Sequence, residues 1–137
     1  MDNSEEITAE QAEPRWVIDF DWYQQNNRSL AALTRHCLCP KCREQLQTGE
    51  AEASMPDLLA AIRDCCSKAP EFVTNRLPIL ESVFRLILAN GNQPINVMEL
   101  GTQLRERLGG DTYRTSPEML PRLLNNDRFY GLRQVDD

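Results

Sequence analysis

No apolar run in this 137-residue chain approaches the roughly 18 residues needed to cross a bilayer as a helix, so no membrane partner is expected. Histidine occurs once, at His36, so no Ser/His/Asp or Cys/His arrangement with a second partner can be drawn. Neither GxGxxG nor GxxxxGK[ST] occurs, so no glycine-rich phosphate cradle marks a nucleotide or small-molecule substrate. An enzyme is not expected. Glycine is scarce and no heptad is sustained, which excludes collagen and coiled coil. Five cysteines are too few for a disulfide-knit scaffold. Residues 1–13 have no basic start and no apolar run, so a secretory signal is not expected and a reducing, cytoplasmic setting is.

The net charge of −6 conceals an uneven distribution. Residues 1–13 hold five acids and no base; the rest of the chain is close to neutral. With one Ile and no aromatic, that segment reads as a disordered acidic arm. Lysine is nearly absent, with two against 13 arginines. Arginine suits bidentate contact with phosphate or carboxylate.

Three spans follow from the pattern: the arm (1–13), a cysteine-rich helical segment (14–76) and a C-terminal unit (77–137). Residues 15–23, RWVIDFDWY, alternate like a short strand and hold most of the aromatic weight. Trp16, Phe20, Trp22 and Tyr23 either complete a core or dock on a protein partner. Helices are expected over residues 27–36 and 57–66. In the last span Pro78 opens a helix that Asn90 and Gly91 close, and Asn96 caps a second that Gly109 stops. A third is expected over 117–125, then a strand over 128–135. Leu80, Phe84, Ile87, Leu100, Leu104, Leu123 and Leu132 are expected in one core.

Two constellations could carry function. The first is Cys37-x-Cys39-x2-Cys42, with Cys65 and Cys66 further on. A Cys-Pro-Lys-Cys turn converges two thiolates, and a distant pair completes the four ligands that structural zinc requires. Thiolates select zinc or an iron–sulfur cluster over magnesium or calcium. Five thiols compete for four places. Cys39 and Cys42 are the firmest choices. Cys65 and Cys66 diverge by roughly 100° on a regular helix, so both can serve one ion only if the helix ends there. Otherwise one of them joins Cys37. Buried free thiols and thiol redox chemistry are the alternatives. His36 reads as a cation at a helix C-terminus rather than a ligand.

The second constellation is the order helix, short strand, helix, helix, strand, carried by PILESVFRLILANGNQPINVMELGTQLRERL and TSPEMLPRLLNNDRFYGLRQV. In that order the chain resembles a winged helix-turn-helix over about 60 residues. The resemblance implies DNA contact through the third helix, with Thr115, Ser116, Arg122 and Asn126 as contact residues and Arg114 and Arg128 beside phosphates. It implies a role in transcription. Residues 78–137 hold 7 bases and 8 acids, Pro121 falls inside the third helix, and only one strand follows it. These features favour a protein-binding adaptor of the same build. The expected fold class is therefore mainly α: a helical N-terminal segment stapled by a Cys–metal site, then a three-helix winged-helix-like unit with short strands.

Overall fold

The computed structural model describes residues 14–47, 54–109 and 115–135. The described residues are mainly helical, with a small three-stranded sheet. Strand β1 (Arg15–Ile18) is followed by helices α1 (Phe20–Gln25), α2 (Leu30–Arg35), α3 (Pro40–Gln47) and α4 (Met55–Asp64). A 3-10 turn spans Cys66–Lys68. Then come α5 (Ile79–Ala89), β2 (Ile95–Asn96), α6 (Val97–Leu108), α7 (Leu120–Asn125) and β3 (Leu132–Val135). No helix among the described residues is long and apolar enough to cross a membrane.

Side-chain caps set most helix starts. Asp19 accepts from the Asp21 amide at 3.1 Å and turns the chain from strand to helix, so the expected strand over 15–23 stops at Ile18. Ser29 caps α2 through the Ala32 amide at 3.0 Å, and Asn96 caps α6 through the Glu99 amide at 2.8 Å. Gly91 and Gly109 end α5 and α6 in the left-handed region, at φ 72° and 82°.

The third helix is shorter than its sequence pattern. Ser116 Oγ accepts from the Met119 amide at 3.2 Å, which holds residues 115–119 in turns, and the helix starts at Leu120. Pro121 therefore lies in the first turn, where a missing N–H costs nothing, rather than inside the helix. The strand is also shorter. The Asp127 carboxylate accepts from the amides of Phe129, Tyr130 and Leu132 at 2.9–3.0 Å, folding residues 127–131 into a turn before β3 begins.

The sheet order is β2-β1-β3, antiparallel throughout. Trp16 pairs with Ile95 on one side and Gln134 on the other, so β1 is the central strand. The third strand comes from the beginning of the described chain, where the sequence pattern offered only one strand after the third helix. Trp16 and Ile18, two residues apart on one face, reach the core around α5. Trp16 and Tyr23 are buried, so neither is available to a partner.

Helix α5 sits at the centre and is apolar on most sides; Ile79, Val83, Phe84, Leu86, Ile87 and Leu88 are all buried. It packs against α4, α6 and β1. Buried side chains from residues on either side of 76/77 belong to one cluster, from Trp16 and Leu58 to Leu104 and Leu124. On α7 the inward pair is Leu120 and Leu124, one turn apart, while Leu123 is only partly buried.

Candidate metal centre

The cysteine cluster is assembled by three chain features. Cys39 is the residue before α3, and Cys42 lies in that helix's first turn. Helix α4 ends at Asp64, and Cys65 takes φ −131°, ψ −62°, outside the helical region. That break is the condition under which two adjacent cysteines can face one point. Cys66 opens the 3-10 turn from the new direction.

The sulfurs of Cys39, Cys42 and Cys65 all lie within 4.8 Å of one another, close enough to hold a metal ion. Cys39 Sγ is 3.9 Å from Cys65 Sγ and 3.4 Å from Cys66 Sγ. Four thiolates at about 2.3 Å from a tetrahedral ion stand about 3.8 Å apart, close to the two distances measured from Cys39. All five cysteines are free; a disulfide would bring two sulfurs to about 2.05 Å. Among the described residues, then, Cys39, Cys42, Cys65 and Cys66 form a cluster able to hold a metal.

Backbone amides stabilise negative charge there. The Cys42 amide hydrogen-bonds to the Cys39 sulfur and, with the neighbouring thiols, brings Cys39 down to about 7. Burial pushes Cys42 and Cys66 up. Charge is therefore favoured at Cys39 over the deeper Cys42 and Cys66. The Cys39 amide in turn donates to Cys66 Sγ at 3.1 Å.

Cys37 is not part of this cluster. Its thiol is buried and points back along α2 toward the Leu33 carbonyl, 3.6 Å away, and burial raises it to about 11. A protonated thiol bonded to its own helix is a core residue, so the place open to Cys37 goes to the second of the adjacent pair. His36 ends α2 as its C-cap and is exposed, as its position after Arg35 suggested.

The residues expected on a nucleic-acid face divide. Thr115 is buried, 1% exposed, and its carbonyl accepts from Arg105 Nη1, so it is removed from that face. Ser116 is half-buried, with its hydroxyl used in the turn. Arg122, Asn126 and Arg128 are exposed. Arg114 lies outside the described residues.

Sequence reasoning missed a group of arginines beside the cysteines: Arg35, Arg43 and Arg85, with His36 between them, line two adjoining hollows. The signal was present. Residues 22–43 contain four bases and no acid, a local imbalance hidden by the neutral body. Compared with protein-family models, curated proteins and solved structures, the chain matches none.

Proposed function

We propose that this chain is a non-enzymatic, zinc-stapled module that associates with nucleic acid, in the manner of transcription-associated winged-helix proteins. The zinc reading rests on the sulfurs gathered around Cys39, with Cys66 and Cys65 at 3.4 and 3.9 Å, and on the softness of thiolate ligands. A closed shell of four cysteines leaves no open position for catalysis, so the ion's role is to fix α3 against the end of α4.

The nucleic-acid reading is supported by one observation. β1 lies beside both β2 and β3, so the order α5, β2, α6, α7, β3 is accompanied by a third strand. A strand beside β3 supports the reading, and β1 reaches that place from ahead of α1 rather than through a hairpin. Exposed Arg122, Asn126 and Arg128 at α7 would then meet phosphates or base edges.

The test is binding of random-sequence duplex DNA by fluorescence anisotropy across a salt series. Binding through phosphates weakens steeply with salt, and Arg122→Ala should lower the slope by about one unit. No binding at low salt would remove this reading.

A second reading, a protein-binding adaptor, is favoured by exposed apolar side chains: Phe20 at 37%, Phe129 at 47% and Met98 at 51%. Under it, DNA binding is absent and Phe20→Ala weakens a protein partner's association without unfolding the chain.

A further inference from the structure

We infer that the arginine-bearing cleft lined by Arg35, His36 and Arg43, beside the cysteine cluster, is a phosphate-binding site whose ligand is a nucleic-acid strand. The phosphate chemistry stands on the cleft itself; the choice of nucleic acid as its source rests on the reading proposed above.

The cleft lies where the end of α2 meets the start of α3. One hollow of about 320 Å³ is lined by Ala32, Arg35, His36 and Arg43. A second, of about 240 Å³, adjoins it through His36 and Arg43 and runs between the cysteine turn and Arg85. Either is large enough for a phosphate group. Among the described residues Glu71 is the one carboxylate in either lining; Cys39 and Cys66 face the smaller hollow, and the hollow lined by Ala32, Arg35, His36 and Arg43 carries neither carboxylate nor thiol. By contrast the α7 end carries Asp127 beside Arg128, in a unit whose bases and acids nearly cancel. Charge therefore favours the α2–α3 cleft as the place where phosphates gather.

Two of the arginines, Arg43 and Arg85, are held in place. Arg43 Nη2 donates to the carbonyls of Leu38 at 3.2 Å and His36 at 3.4 Å, which fastens its guanidinium across the mouth of the turn. Arg85, at the inner end, donates to the Phe72 carbonyl and to Glu81, both at 3.1 Å. Its Nε is buried with no hydrogen-bond partner. A guanidinium already fixed loses little side-chain freedom when a phosphate arrives. The cysteine cluster serves the same end, because it locks the turn from which Arg43 projects.

The single histidine makes the site directly observable. The experiment uses the full chain with its native metal content, in phosphate-free buffer, and follows the His36 imidazole resonances by NMR. A short single-stranded oligonucleotide is titrated first, then inorganic phosphate. Both should shift His36 saturably. Arg35→Gln and Arg43→Gln should each weaken oligonucleotide binding about tenfold, as for loss of one charged hydrogen bond. Arg76→Gln, at an exposed arginine outside both hollows, should leave it unchanged. Arg35→Gln lies further from the cysteines than Arg43→Gln, and metal content is measured for both.

Phosphate shifting His36 with no oligonucleotide binding supports the site and overturns nucleic acid as the ligand. Oligonucleotide binding lost with Arg122→Gln but kept in the two cleft variants overturns this inference and leaves the proposed function standing. If the cleft variants lose metal while His36 never responds to phosphate, the cations serve only to balance the thiolates, and the inference fails.

Discussion

The side-chain amide of Asn92 holds both backbone groups of Ile18: its Oδ1 accepts from the Ile18 amide at 2.8 Å, and its Nδ2 donates to the Ile18 carbonyl at 3.0 Å. Asn92 does so from φ 58°, a left-handed conformation that asparagine tolerates better than most residues. It thereby extends the β1–β2 ladder where the two-residue β2 has ended. Asn92→Gly keeps the backbone conformation and loses the two bonds, so it should cost about 1–3 kcal/mol. Asn92→Ala loses the bonds and adds strain, so it should cost more. Chemical denaturation of both variants measures the difference; equal stability to the parent would show that water replaces the amide.

Gly131 has φ 66°, and a Cβ there would stand 2.9 Å from Trp22 Cε3 and 3.0 Å from Tyr23 Cε1. Both rings are held, Tyr23 by its hydroxyl on the Tyr130 carbonyl at 2.6 Å. Gly131→Ala should therefore destabilise by about 2 kcal/mol or more, combining left-handed strain with overpacking. Thermal unfolding checks this. An unchanged midpoint would mean that the turn relaxes freely.

The metal prediction separates one cysteine from the other four. Cys39→Ser, Cys42→Ser, Cys65→Ser or Cys66→Ser should each lower zinc content measured by elemental analysis. Cys37→Ala should retain one zinc per chain and lose only packing. Metal binding must displace thiol protons, so affinity should fall as pH falls. Cys39, at about 7, is partly ionised at neutral pH, whereas Cys42 and Cys66 are raised and must each give up a proton. Calorimetry in buffers of different ionisation enthalpy should register at least two protons released per zinc at pH 7. Full zinc content in Cys66→Ser would break the four-ligand assignment.

Truncation of the chain start should have a sharp boundary. Removing residues 1–13 should leave the thermal midpoint nearly unchanged, because that segment carries little apolar surface. Removing residues 1–18 deletes the central strand and buried Trp16, Val17 and Ile18, and should abolish cooperative unfolding. A large loss from the shorter deletion would show that the acidic segment packs.

Core truncations distinguish the faces of the helices. Phe84 is fully buried on α5, so Phe84→Ala should cost about 3–5 kcal/mol. Leu124→Ala should cost more than Leu123→Ala, because Leu124 is buried and Leu123 only partly so. The reverse order would mean that α7 is rotated.

Legibility in the sequence followed the range of the forces involved. Local chemistry was readable: the caps at Asn96, Gly91 and Gly109 act within one turn and follow from residue type. The buried α5 was readable because apolar residues occupy nearly all its positions. The cluster of Cys39, Cys42, Cys65 and Cys66 was readable as a choice of four from five. Excluding Cys37 required the direction of its side chain along α2, and admitting Cys66 required the helix break at Cys65. The length of α7 was not readable, because Ser116 and Asp127 use side-chain oxygens to hold turns where the apolar pattern suggested regular structure. The pairing of β1 with β3 was illegible, since nothing local to RWVI or LRQV names its partner.

That pairing constrains the order in which the chain can fold. The earlier strand waits for one made long after it: Ile18 has no ladder partner in β3 until Leu132 has emerged. Until then Trp16, Val17 and Ile18 are an apolar strand with only the two residues of β2 to pair with. The cysteine cluster closes over a much shorter stretch, between residues 39 and 66, and can form while the rest is still being made. Assembly is thus expected in two stages, with the cysteine-bearing lobe early and the sheet after it. Loop closure on that scale makes the sheet the slow step.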